Sequence, residues 1–426
     1  MIDHSTLRQR RRTLRYAIAA SLAGVAALAT AFGLPAASSG ATVRSAAAAA
    51  CGVVPNVGPG SDPQHLVNAL PAAQQAGYNG FPNRIYPSAY AHFKSKHKAP
   101  YTLGFIDNDT GNAYNASLLA DMKVWAAKLE KKGLVKNLIS YVTPGFSAAT
   151  QIQQFHSLIE QKVDAIIVEP ADAPALVPSV QAAEKAGIPT ISWFGSIDSP
   201  DAVNPGINVF LNGAEPVAYE AQHFLHGKGN MLVVRGAPTQ AADVYGYQGA
   251  KAVLAHCPNI HVVGSVIGQY ENSVAKSVTL QFLSSYHGTI NGEYDSGTMT
   301  QGILSAFQQL GRPLPAMTNL GAVDGVLAYA RSHPSFHTVG TATGALDSTR
   351  LITNVALRVL LGQGPKMNDI VLKPVLVTPA NLDQFVKAGT SVNDLDSAEN
   401  PPFSLASNAT LNGWFTKGSN PAPGTL

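Results

Sequence analysis

From Tyr101 onward the chain alternates short apolar runs with longer stretches in which apolar residues recur every three or four positions. The first pattern predicts buried strands and the second amphipathic helices. Tyr101-Thr-Leu-Gly-Phe-Ile106 reads as a strand. Over Asn115 to Lys132, the residues Leu118, Leu119, Met122, Trp125, Ala126 and Leu129 mark one helix face. Ser147 to Lys162 repeats the pattern with Ile152, Phe155, Leu158 and Ile159. Ala165 to Val168 is apolar throughout and predicts a strand buried on both faces. Further helices are expected over 174–187, 213–226, 240–256, 271–286, 298–310, 323–333 and 348–362. Further strands are expected over 138–142, 189–193, 230–234, 261–267, 293–296, 316–320, 338–343 and 370–377. Alternation of this kind predicts an α/β fold of parallel sheets built from right-handed βαβ units. Some ten or eleven strands exceed one ordinary sheet, so two doubly wound parallel-sheet lobes are expected. Ligands of such sheets bind beyond the carboxyl ends of the strands, which places the site in a cleft that closes by hinge motion.

The two ends of the chain break the pattern. Residues 51–100 are rich in Pro, Gly, Asn and Ser, with one helical stretch near His65 to Gln75. They are expected to form an N-terminal extension (42–100) outside the main fold, with His92 to Lys98 as a solvated basic face. Residues 401–426 are expected to be a surface tail. At the start, Arg8 to Arg15 precede an uncharged apolar run, Tyr16 to Leu34, and then small residues. That order predicts an export signal over 1–41, with a single membrane anchor as the competing reading. Arg11-Arg12 with Leu14 weakly resembles a twin-arginine signal, and Ser39-Gly40-Ala41 is a candidate cleavage site. The expected location is the periplasm or the outer face of the cytoplasmic membrane.

Charge and cysteines narrow the classes of function. Of 29 basic and 26 acidic residues in the chain, six arginines and one aspartate fall in the first fifty. The remainder, 23 basic against 25 acidic, is not the footprint of a nucleic-acid binder. The two cysteines, Cys51 and Cys257, suggest one disulfide in an exported chain. Cys51 follows Ala48 to Ala50, so lipid attachment is a second reading, and two free thiols a third. No hydrolase, metalloprotease, phosphate-loop or dinucleotide motif occurs, and His256, Cys257 and His261 lack further ligands at metal spacing. No catalytic residue, metal or cofactor is therefore expected.

One stretch carries more than a fold class: Val163-Asp-Ala-Ile-Ile-Val-Glu-Pro-Ala-Asp172, followed by Leu176 through Ala186-Gly-Ile-Pro-Thr-Ile-Ser192. It resembles the first-lobe signature of type 1 periplasmic solute-binding proteins, the ribose- and galactose-binding group. The strand–helix order continues in register, so the resemblance covers roughly 101–395. It implies two lobes joined by a three-segment hinge: 101–207 plus 341–367, and 208–340 plus 368–400. It also implies a monomer that captures a small molecule and delivers it to the permease of an ABC importer. The alternative is a sensory module that presents a bound signal to a membrane receptor kinase. The same fold serves cytoplasmic repressors, but those carry a helix-turn-helix where this chain carries an apolar signal.

The resemblance points to ligand positions one by one. The first cleft loop offers Asp107, Asn112 and Tyr114. After the fourth strand, Phe194 and Gly195, preceded by Trp193, stand where sugar binders place an Asp and in some an adjacent Arg. An Arg position falls on Gly246, flanked by Tyr245. Tyr270 keeps a loop aromatic, and Ser296 replaces an Asn. A hinge Asp aligns to Asn319, Leu320 or Asp324, and the last crossing places Thr343. Glu169 is either a cleft carboxylate or a rim group. With the charged groups of sugar binders gone and aromatics retained, the pocket is expected to suit an apolar or aromatic ligand, or a sugar stacked on rings.

Overall fold

The computed structural model describes residues 50–400 and 407–417. The export segment at 1–41 and its cleavage site lie outside the described residues, as do 401–406 and 418–426 of the expected tail. The chain enters through a long strap whose regular part is one short helix, α1 (Ala72–Gln75).

The first lobe follows. Its elements are β1 (Tyr101–Asp107), α2 (Ala113–Lys131), β2 (Val135–Val142), α3 (Ala148–Glu160), β3 (Ala165–Val168), α4 (Ala173–Lys185), β4 (Thr190–Ser192) and β5 (Ala202–Ile207). The second lobe runs α5 (Val209–Tyr219), β6 (Lys228–Arg235), α6 (Ala241–Leu254), β7 (Asn259–Ile267), α7 (Asn272–Ser285), β8 (Gly292–Asp295), α8 (Thr300–Gln309), β9 (Ala316–Gly321), α9 (Asp324–Ser332) and β10 (Thr338–Ala342). The chain then returns to the first lobe with α10 (Ala345–Leu360) and β11 (Asp369–Leu372), and crosses once more to β12 (Val375–Val377). The sheets are β11-β5-β4-β3-β1-β2 and β12-β10-β9-β8-β6-β7, parallel except for β12 against β10.

Local chemistry sets these elements. Asn112, Ser147, Asp172 and Asn208 each accept a backbone N–H at the start of α2, α3, α4 and α5. Ala165 to Val168 is buried on every residue, as its uncharged run predicts. Trp125 and Phe155 lie in the cores on either side of the first sheet. In the second lobe α5 and α6 meet backbone to backbone. A Cβ at Gly213 would strike the carbonyl of Gly246 and one at Gly249 the carbonyl of Phe210, so each helix needs glycine where it meets the other.

Several expectations change. Strand β5 was not anticipated, because Pro205 and Gly206 disguise it; it pairs with β4 only through Ala202 and Val203, then with β11. The single strand expected at 370–377 is two. Asp369 to Leu372 pairs with Asn204 to Ile207 in the first sheet, and the chain crosses at Lys373-Pro374, where Pro374 has no N–H to offer a ladder. The lobe boundary drawn at 367/368 therefore moves to 373–374. The one drawn at 340/341 moves to Thr343-Gly344, because β10 runs to Ala342 in the second sheet. The helix expected at 213–226 begins at Val209 and gives way to a wider turn at Glu220–Phe224.

The ends are not external. Tyr78, Phe81, Ile85 and Tyr90 of the strap are buried in the first-lobe core. The Tyr78 hydroxyl donates to the Asp369 carbonyl at 2.6 Å and accepts from Trp414 Nε1 at 2.8 Å. Leu411, Trp414 and Phe415 of the supposed tail are buried beside it, at the end of helix α11 (Asn408–Leu411). Apolar rings scattered among Pro and Gly gave no periodicity to read. Cys51 and Cys257 form a disulfide, tying the start of the strap to the second lobe. Among the described residues no helix is long and apolar enough to cross a membrane.

Candidate ligand-binding cleft

The carboxyl ends of both sheets face a common cavity, the place where ligands of such sheets bind. Strands β1 to β4 of the first lobe each deliver a residue as the chain leaves the sheet. The loop after β1 and the start of α2 place Asn112, Tyr114 and Asn115; β2 is followed by Phe146, β3 by Glu169 and β4 by Phe194. The second lobe answers with Gln240 and Ala242 after β6, Tyr270 after β7 and Ser296 to Thr298 after β8. Leu320 and Gly321 end β9, Thr343 lies on the hinge, and Asn212 reaches in from α5.

Four lining residues that are not glycine hold left-handed backbones: Phe146 (φ 52°), Phe194 (53°), Tyr270 (61°) and Thr298 (55°). Such conformations cost of order 1–3 kcal/mol each and persist where surrounding structure fixes them. Here they turn three aromatic rings into the cavity. Phe194 packs edge-on against Tyr114 at 5.4 Å between centroids and against Trp193 at 4.7 Å. The Tyr270 ring lies over Gly236, where a Cβ would overlap it.

The polar groups are held from behind. Tyr114 donates its hydroxyl to Ser348 Oγ at 2.8 Å and accepts from Trp193 Nε1 at 2.8 Å. Asn115 Nδ2 donates to Glu169 Oε2 at 3.0 Å and to Asp107 Oδ1 at 3.3 Å. Burial pushes both carboxyl groups well above the usual carboxylate range, and the Glu169 charge raises Asp107 further. Asp107 Oδ2 has no hydrogen-bond partner, whereas Glu169 lines the cavity. Across the cleft, Ser296 Oγ donates to Asp243 Oδ1 at 2.7 Å, and Asp243 also takes a bidentate Arg235. Asp295, raised to about 7 by burial, accepts from Gly297 N and from Thr300 Oγ1, which fixes the Ser296–Thr298 loop.

Of the positions expected to touch ligand, Asn112, Tyr114, Phe194, Tyr270 and Ser296 line the cavity, as does Thr343. Asp107 lies beneath the floor, at the end of β1, tied to Asn108 N and Asn115. Trp193 is buried behind Phe194, because the last residues of a strand alternate between faces. Tyr245 lies one turn down α6 from Ala242, outside the cavity. Asn319 is buried within β9, where its Oδ1 accepts from Val323 N of the following turn and from Thr300 Oγ1. Sequence reasoning missed Asn115, Phe146, Asn212, Gln240 and Thr298. Asn115 sits three residues after a called position and was legible as its neighbour; Asn212 and Gln240 had no strand-end signal. Aromatic rings line the cavity as expected, and amides and hydroxyls stand among them where the charged groups of sugar binders are lost.

Comparison with known proteins agrees with this geometry. A xylitol-binding protein of Mycolicibacterium smegmatis is 30% identical over 235 residues, which cover 54% of this chain and 65% of that protein. A galactofuranose-binding protein of Escherichia coli is 25% identical over 248 residues, 54% of this chain and 72% of that one. The crystal structure of an ABC transporter solute binding protein from Thermobispora bispora superposes with a TM-score of 0.61 at 26% identity, covering 67% of this chain and 87% of that one. Residues 103–363 match the model of the periplasmic binding protein domain, more than half of the chain. The chain belongs to the periplasmic binding protein family, whose members bind solutes outside the cytoplasm and are not enzymes.

Proposed function

We propose that this protein captures a neutral, polyhydroxylated small molecule, a polyol or a furanose-type sugar, and delivers it to a membrane permease of the ABC type. The lining of the cleft carries the reading. Asn112, Asn115, Asn212, Gln240, Ser296, Thr298 and Thr343 offer amides and hydroxyls that both donate and accept, and no basic side chain is among the described lining residues. Hydroxyl groups need such partners once buried, whereas an anionic ligand needs a cation to offset its desolvation. The rings of Tyr114, Phe146, Phe194 and Tyr270 suit the C–H face of a sugar or polyol chain. The relatives that bind xylitol and galactofuranose support the same ligand class. Delivery to a permease, rather than presentation to a receptor kinase, follows the likeness to a transporter solute binding protein. Ligand held between two lobes shifts the hinge toward closure by its extra affinity for the closed form. A thermal-shift screen of polyols, furanose sugars, sugar acids and small aromatics tests the reading. A ligand at about 100 times its Kd adds roughly 2.7 kcal/mol. Stabilisation by neutral polyols or sugars is expected; stabilisation by sugar acids or aromatics alone overturns it.

A further inference from the structure

Phe194 lines two hollows. One is the cleft cavity; the other is a smaller hollow, and Asn83, Ser196, Ala241 and Tyr245 of its wall also line a side groove with about 970 Å³ of empty space, its open mouth included. The groove is built as the cavity is, from both lobes. Ser196 and Asp198 follow β4 in the first lobe, and Val244 and Tyr245 come from α6 in the second. A third contributor is the N-terminal strap. Asn83 is buried in the groove wall and donates Nδ2 to the Ser196 carbonyl at 2.9 Å. The strap precedes residues 103–363, the region that matches the family.

Tyr245 gives the groove its chemistry. Its ring is half-buried, and it lines the groove together with Asp198, which is exposed. A ring face, a phenol and an exposed carboxylate form a surface for a neutral ring with hydroxyls at its edge. Phe194 stands as the partition that a ligand reaching both hollows would straddle.

We propose that the groove beside Tyr245 is a second ligand subsite, which takes a ring joined glycosidically to the unit held in the main cavity. The proposal rests on the reading of the cleft as a sugar or polyol site and deepens it: the natural ligand is a glycoside rather than a free monosaccharide.

Calorimetric titration tests it with matched probes: xylitol, methyl β-galactofuranoside, phenyl β-galactofuranoside and a disaccharide of two galactofuranose units. The expected result is that one or both two-ring probes bind about tenfold tighter than the methyl glycoside, the ratio given by one stacked ring and one hydrogen bond. Tyr245→Ala removes that gain and leaves methyl glycoside and xylitol binding within about twofold. Tyr245→Leu, which keeps apolar bulk on the helix, serves if the alanine variant unfolds. A gain confined to the phenyl glycoside makes the second ring aryl, and one confined to the disaccharide makes it a sugar. Equal affinity for one-ring and two-ring probes, or equal weakening of both by Tyr245→Ala, overturns the subsite and leaves the cleft reading standing. Failure of every probe to bind the unaltered protein overturns both.

Discussion

Phe146 of the first lobe and Tyr270 of the second meet across the cleft, with ring centroids 6.5 Å apart and planes inclined by 56°. Each ring leaves its sheet through a left-handed residue, so neither position comes from a regular element. The pair can form only while the lobes are together. Phe146→Ala is expected to weaken ligand binding about tenfold, chiefly through faster release, with little change in unfolding midpoint. Stopped-flow dissociation checks it; a slower association with unchanged release contradicts the closing role.

Asn115 is the donor shared by two buried carboxyl groups. Asn115→Ala leaves Glu169 and Asp107 without that donor, and is expected to cost about 1–3 kcal/mol of stability in urea unfolding as well as ligand affinity. The substitution Lys123→Ala, at an exposed site on the same helix, is the control and should change neither by much.

Many buried carboxyl groups have raised pKa values by desolvation: Asp295 and Glu399 to about 7, and Glu220, Glu293 and Asp369 well above the usual range. A group whose folded pKa exceeds its unfolded value stabilises fully below the unfolded pKa, about 4, and that contribution is lost as pH rises toward the folded value. The melting temperature is therefore expected to be highest near pH 4 and to fall from there through pH 7 and beyond. Both Glu293 carboxylate oxygens lack partners, so Glu293→Gln should flatten this slope. A midpoint that rises from pH 5 to pH 8 contradicts it.

The Cys51–Cys257 disulfide closes a loop spanning 206 residues of sequence. Replacing both cysteines by serine is expected to cost about 2–4 kcal/mol in chemical unfolding. The mature protein's intact mass should carry no lipid and should rise by two hydrogens on reduction. A lipid-modified Cys51 contradicts the pairing.

The lobes were legible because strands such as Ala165 to Val168 are bounded apolar runs and helices such as α2 carry periodic stripes. What failed did so for physical reasons. β5 hides behind Pro205 and Gly206, and the final crossing turns on Pro374 within a run that looks continuous. Tyr78 and Trp414 hydrogen-bond across 336 residues, a contact with no local pattern. In the site, loop residues just beyond strand ends were readable, since the fold alone sends them to the cleft. Asp107 and Trp193 fell one step short, on the buried face of the strand end, and Tyr245 one helical turn too far. Asn212 enters from the hinge helix, where sequence gives no cue that a polar residue faces ligand rather than neighbour; its Oδ1 also accepts from Thr341 at 2.5 Å.

The most direct test of a neutral-polyol site in this cleft is titration of xylitol, methyl β-galactofuranoside and gluconate into the unaltered protein and into a Gln240→Ala variant. Gln240 lines the cavity from the second lobe, and its side chain makes no cap at the start of α6. The account predicts saturable binding of a neutral compound, no binding of gluconate, and at least about tenfold weaker binding to the variant. Preferential binding of gluconate, or binding that the variant leaves untouched, would contradict it.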